Sequence, residues 1–306
     1  MIKNAAVIGA GAVGSYFIWG LCEKNPECIS LIAKGERKER LEKNGVIIND
    51  KNYFPPVKSP EEASGVDLLI IAVKKNALDG ILDEVKTIVK ENTVVICPMN
   101  GIDSEEILST VIPRKNIIWS LIKIASERNG NSIRFEPKTT LGVYYGERDT
   151  EEFTPRMQDI EEFFKDTGMH LNPCKDILKQ IWYKFALNVG NNLPQAILGV
   201  GMGAYDDSEH VNFIYERLVE EAIAVAAANG VDISDRKGIV FSGRDKRARY
   251  STLQDLDNKR HTEVEMFGGT MIEMGKKYNI AVPYATFCYH AIKALEEKND
   301  GKFDYE

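Results

Sequence analysis

The chain is poor in the residues that build disulfide frameworks and metal centres. Its five cysteines, Cys22, Cys28, Cys97, Cys174 and Cys288, are odd in number and scattered. They show no C-x-x-C pair and no Cys/His cluster, so reduced thiols, as in a cytoplasm, are expected and no metal site is. Long apolar runs are also missing. The longest, Val66 to Val73, is interrupted by Asp67 and falls far short of the roughly 20 residues that cross a bilayer. Positive charge is in deficit: 39 lysines and arginines face 46 acids, for a net charge of −7 and a pI near 5.4. Such a balance argues against nucleic acid or an anionic membrane as the main partner. Met1-Ile2-Lys3-Asn4 leads straight into an apolar run, which leaves no expected room for a signal peptide. No repeat or low-complexity tract interrupts the chain.

What is present is ordinary soluble-protein material, 43% hydrophobic and 28% charged. At 306 residues it is long for one core, and two domains are expected. The most informative stretch is Gly9-Ala10-Gly11-Ala12-Val13-Gly14, set directly behind Ala5-Ala6-Val7-Ile8 and ahead of Tyr16-Phe17-Ile18-Trp19. A G-x-G-x-x-G between a buried strand and a helix is a dinucleotide-binding arrangement. Gly9 permits the tight turn, Gly11 the approach of backbone to a pyrophosphate, and Gly14 close strand–helix packing. The alternative is a glycine-rich turn with no ligand.

Further strands are expected at Ile29–Ala33, Asp67–Val73 and Thr93–Cys97, with a helix at about 77–89. Strands alternating with helices predict a Rossmann-type, doubly wound parallel sheet. Pieces near Ile117–Ile124, Ser132–Phe135 and Thr140–Tyr145 read as the trailing edge of that sheet. Helical patterns follow at Lys175–Leu193, Asn212–Asn229, Glu263–Tyr278 and Tyr284–Lys298. The expected fold class is α/β, with an N-terminal nucleotide-binding domain (1–172), a C-terminal all-helical domain (173–306) and a reactive cleft between them.

The second strand ends not in the acid that pairs with the ribose of NAD but in Ala33-Lys34-Gly35-Glu36-Arg37. Lys34 and Arg37 suit the 2′-phosphate of NADP, so NADPH is the expected cofactor, with solvated loop charges as the alternative. In the Lys175–Leu193 helix, Lys184, Asn188 and Asn192 are spaced four apart and share a stripe with Ile177, Ile181 and Phe185. Lys175, Lys179, Gln180 and Tyr183 take the outward face. Polar groups on an apolar face form either a closed network or a pocket for a polar substrate. Pro194 should end or bend that helix. Glu263 lies one turn ahead of Phe267, Met271, Met274 and Tyr278; it could simply be an N-terminal charge, or meet Lys184 or a substrate hydroxyl. Asn100-Gly101 and Lys74 fall at carboxyl ends of strands, where ligands bind in open α/β sheets.

Together these residues resemble the ketopantoate reductase (2-dehydropantoate 2-reductase) family. The likeness runs through the opening glycines, Val73-Lys74, Asn100-Gly101-Ile102, Lys184-x-x-x-Asn188-x-x-x-Asn192, and Ser251-Thr252-Leu253-Gln254-Asp255 followed by Arg260-His261-Thr262-Glu263. The resemblance implies NADPH-dependent reduction of a small 2-oxo acid, 2-dehydropantoate, to (R)-pantoate on the way to pantothenate. It implies Lys184 as the general acid and Asn188, Asn192 and Ser251 as substrate contacts. Glu263 would organise substrate and cofactor, and Lys74 and Asn100 would lie near the nicotinamide and the reacting carbonyl. Two departures are visible: Ala248 stands where members often place an asparagine, and Gly199–Asp207 does not follow the usual run. They leave open a β-hydroxyacid-dehydrogenase-type reductase of another acid. A non-catalytic NADP(H)-binding regulator is the rival outside enzymology, and a homodimer is left open.

Overall fold

In the computed structural model, residues 1–235 and 245–305 are described. Two compact units result, Met1–Gln180 and Ile181–Glu306.

The first unit is built on an eight-stranded sheet. Its strands are β1 (Ala5–Ile8), β2 (Ile29–Ile32), β5 (Val57–Lys58), β6 (Leu68–Ile71), β7 (Val94–Ile96), β8 (Ile117–Lys123), β11 (Gly142–Gly146) and β12 (Leu171–Pro173). Their order is β12-β11-β8-β7-β6-β1-β2-β5. The run from β5 to β8 reproduces the 3-2-1-4-5-6 order of a dinucleotide-binding sheet, and only the β8–β11 pairing is antiparallel. All four residues of β1, β2 and β6 are buried, which is why these strands read as unbroken apolar runs.

Helix α1 (Ala12–Lys24) follows the glycine turn and α2 (Gly35–Asn44) follows β2. The helix expected at 77–89 is broken into α3 (Lys75–Leu78), a 3-10 turn at Asp79–Ile81 and α4 (Leu82–Ile88). Gly80, inside that turn, is a poor helix former and marks the interruption. Short α5 (Ser104–Leu108) and α6 (Pro155–Phe164) complete the unit.

Ser132–Phe135 is not the trailing edge of the main sheet. As β10 it joins β3 (Val46–Ile48), β4 (Lys51–Tyr53) and β9 (Ser126–Asn129) in a second sheet, ordered β4-β3-β10-β9. That sheet is held by pairing of Ile47 with Ser132 and Ile48 with Ile133. Val46, Ile48, Tyr53, Ile133 and Phe135 then share one apolar core with Tyr16 and Phe17 of α1.

The second unit contains helices throughout its described part: α7 (Ile177–Leu198, begun in the first unit), α8 (Ala204–Asp207), α9 (Glu209–Ala228), α10 (Ser251–Asp257), α11 (Thr270–Tyr278) and α12 (Pro283–Asn299). Pro194 does not end α7, which runs on to Leu198 with the proline inside it; burial of residues 191–196 holds the helix together around the missing donor. Glu263 lies just before helical structure rather than on it. A π-turn over Glu265–Gly269 comes next, and it shifts the face that α11 presents. No described helix is long and apolar enough to cross a membrane.

Candidate active site

In the first unit the three glycines do three different jobs. Gly9 has φ +102°, and a Cβ there would lie 2.3 Å from the Ala72 carbonyl oxygen. A Cβ on Gly14 would lie 1.8 Å from the Gly9 carbonyl oxygen, so strand and helix touch through bare backbone. A Cβ on Gly11 would meet nothing within 4 Å. Gly9 and Gly14 are therefore demanded by the fold, whereas Gly11 faces open space. Ala10, Gly11, Ala12 and Val13 are only half-buried. Gly11 caps α1 without a side-chain bond and the first turn holds no acid. Unpaired N–H groups at the positive end of a 13-residue helix fit a pyrophosphate.

Lys34, at the tip of β2, and Arg37, in the first turn of α2, are exposed. Lys34 Nζ lies 3.5 Å from Glu84 Oε1, with 51% of the lysine side chain accessible. An exposed pair of this kind is worth ~0–1 kcal/mol and leaves the ammonium able to turn to a phosphate. Lys74 is exposed ahead of α3, and Asn100 is half-buried in the segment after β7. An ion pair between Lys75 and Asp103 ties the segments after β6 and β7 to each other.

A group absent from the sequence reading braces this edge. Glu105 of α5 is 4% exposed and accepts a hydrogen bond from the Ser120 N–H at 3.2 Å. Ser120 Oγ in turn accepts from the Cys97 N–H at 3.0 Å. Burial, opposed by hydrogen bonds, pushes the Glu105 carboxyl up to about 8. Through Ser120 it joins β8 to the segment that leads to Asn100.

In the second unit α7 carries the polar row. Ile177, Ile181 and Phe185 are buried, Lys184 and Asn188 are half-buried, and Asn192 is 2% exposed. Lys179, Gln180 and Tyr183, expected to face outward, are half-buried as well; α7 is flanked on more than one side. Asn192 Oδ1 accepts from Thr252 Oγ1 at 3.1 Å and from Ser251 Oγ at 3.4 Å, and its Nδ2 donates to the Asn188 carbonyl at 3.2 Å. Two amides of this row went unread in the sequence. Gln195 and Asn191 are fully buried. The Gln195 side chain accepts from the Tyr250 N–H and donates to the Ala248 carbonyl at 3.2 Å. Among the described residues neither amide atom of Asn191 has a partner. Their spacing from Lys184, seven and eleven residues, continues the same helical period.

Glu263 is half-buried. Its neighbour Thr262 is fixed by Glu296, whose Oε1 accepts from both the Thr262 N–H and Oγ1 at 2.7 Å while Oε2 accepts from Lys293 Nζ at 2.7 Å. Burial alone would raise the Glu296 carboxyl, but these bonds outweigh it and hold it below the usual carboxylate range. Arg260 Nε donates to Asp255 Oδ1 at 2.8 Å, joining the start of this motif to α10.

Comparison with known proteins bears on both units. Residues 5–148 match the model of "Ketopantoate reductase PanE/ApbA" and residues 176–296 that of its C-terminal domain. The chain belongs to the ketopantoate reductase PanE/ApbA family. A 2-dehydropantoate 2-reductase of Pyrococcus horikoshii is 29% identical over 302 residues, covering 96% of this chain and 98% of that one. Among solved structures, a D-mandelate dehydrogenase with NADH and anilino(oxo)acetate superposes with TM-score 0.84 at 23% identity, over 97% of this chain and 99% of that one. A dimeric ketopantoate reductase from Staphylococcus aureus does so with TM-score 0.76 at 22% identity, again over 97% and 99%.

For a ketopantoate reductase family member, the two departures noted in the sequence turn out to be one feature. The Met202 N–H donates to the Ala248 carbonyl at 3.0 Å and the Gly203 N–H to the Lys246 carbonyl at 2.9 Å. A Cβ on Gly201 would lie 2.3 Å from the Lys246 carbonyl oxygen. Gly201 thus lets the 199–207 segment lie against 246–248, and a Lys246–Asp207 ion pair at 2.7 Å closes the contact.

Proposed function

We propose that the chain reduces 2-dehydropantoate to (R)-pantoate with NADPH, as a step toward pantothenate. The observation that supports this most directly is the row Lys184, Asn188 and Asn192 along α7, with Ser251 hydrogen-bonded to Asn192. When bound, NADPH supplies the hydride that C2 of the ketone accepts. The remaining work falls to side chains. Lys184, as an ammonium, hydrogen-bonds the ketone oxygen, stabilises the negative charge that grows there and donates its proton. Asn188, Asn192 and Ser251 hold the polar groups of the acid, and Glu263 orders substrate and cofactor. Gly9 to Gly14 receive the pyrophosphate, with Lys74 and Asn100 toward the nicotinamide end.

The absence of an acid at the tip of β2, with Lys34 and Arg37 there instead, supports NADPH over NADH. Assembly as a homodimer, in a cytoplasm, is part of the same reading. Leu198, Phe213, Tyr284 and Phe287 are exposed on the second unit, and such a set of large apolar side chains favours a covering partner.

The test is a turnover assay with 2-dehydropantoate and NADPH, followed by loss of NADPH absorbance. Stoichiometric oxidation supports the proposal; tight NADPH binding without oxidation sinks it. A second reading, reduction of a different 2-oxo acid by the same lysine, is favoured by Ala248, which offers only its backbone carbonyl, already bonded to Gln195 and Met202. A panel of 2-oxo acids ranked by kcat/KM separates the two.

A further inference from the structure

Strand β8 runs parallel to β7, so its last residue, Lys123, stands at the carboxyl edge of the sheet, one strand along from the segment carrying Asn100. Ligands of open α/β sheets gather outside that edge. Lys123 pairs with Gly142 of β11 and Leu121 with Tyr144, which puts Lys123 and Tyr144 diagonally on one face. Its Nζ sits 4.2 Å from the centre of the Tyr144 ring. The Cys174 thiol, donating to the Asn172 carbonyl at 3.3 Å, is the other titratable group that acts on it. Among the described residues no carboxylate pairs with Lys123.

A half-buried ammonium that has surrendered part of its hydration and gained only a ring face is incompletely compensated. Burial accordingly pushes the Lys123 ammonium below the usual lysine range. The aromatic ring engages one side of the group. The remaining N–H bonds can go to an anion, and a 2-oxo acid presents one at every turnover.

We infer that Lys123, propped on Tyr144 at the carboxyl edge of the sheet, is a specificity-determining residue that takes the carboxylate of the 2-oxo acid. The inference rests on the function proposed above. It places the charge that selects acids over neutral ketones on a strand of the nucleotide-binding sheet.

The test uses the NADPH-loaded protein and two probes: oxamate, an unreactive 2-oxo acid analogue, and its neutral methyl ester. Binding is read by the change in NADPH fluorescence for wild type, Lys123→Met and Lys123→Arg. The methionine keeps the unbranched stem over Tyr144 and removes only the charge. Tenfold or greater weakening of oxamate by Lys123→Met is expected, with ester binding and NADPH affinity within twofold of wild type and partial recovery in Lys123→Arg. Unchanged oxamate affinity, equal weakening of acid and ester, or a loss falling on NADPH instead would each overturn the inference. A wild type that shows the oxamate difference yet reduces no 2-dehydropantoate would remove the proposed reaction and keep the lysine.

Discussion

The two units handle their polar groups in opposite ways. The first presents backbone: three glycines, of which two are filled by neighbouring backbone and one faces open space. The second presents side chains on a single helix, of which Asn192 and Gln195 are held by α10 and the segment before it. A backbone site tolerates little substitution but needs no matching partner. A side-chain site can be changed one function at a time. This difference should be visible in how variants fail.

Its sharpest break is Lys184→Ala. Loss of the proposed acid should lower kcat by roughly two to four orders of magnitude, with NADPH affinity intact by fluorescence titration. Unchanged turnover would take the lysine out of the chemistry.

Next in size is the buried acid of the first unit. Glu105 has a folded-state value near 8 against 4.5 when exposed, so the unfolded chain ionises first as pH rises. Stability should therefore fall between about pH 5 and 8 and level off above, by a few kcal/mol over the window. Glu105→Gln, which stays neutral, should show a higher Tm than wild type at pH 8 and a smaller gain at pH 5. A gain independent of pH would mean that the carboxyl is already ionised in the fold.

The glycine turn offers an internal comparison. Gly14→Ala drives a methyl into the Gly9 carbonyl and should cost about 1–3 kcal/mol or more in denaturant unfolding. Gly11→Ala has room and should leave unfolding nearly unchanged while weakening NADPH. If both variants behave alike, the distinction between a packing glycine and a ligand glycine fails.

The smallest effect is expected at the strand tip. Lys34→Glu should weaken NADPH by about tenfold relative to NADH, close to one favourable charge contact, with little change in Tm because the Lys34 end of its pair with Glu84 is exposed. Equal loss of both cofactors would remove the 2′-phosphate assignment.

Legibility followed the range of the interactions. The turn Gly9–Gly14, the buried strands β1, β2 and β6 and the four-residue spacing of Lys184, Asn188 and Asn192 were all readable, because each is written within a few residues of itself. The place of Glu263 was less so. Its periodicity with Phe267 and Met271 assumed an uninterrupted α-helix, and the π-turn at Glu265–Gly269 breaks that assumption.

The amino-acid sequence by itself determined the α/β first half, the helical second half and the groups offered for chemistry, since local apolar periodicity and glycine geometry need no distant partner. Tertiary structure alone decided that Ser132–Phe135 pairs with Val46–Ile48, that Glu105 is buried against Ser120, and that Gly201 and Gly203 lie against 246–248. In each of these a backbone or carboxyl group is satisfied by a residue far along the chain. Hydrogen bonds of that kind leave no period in the sequence, so only the folded chain reveals them.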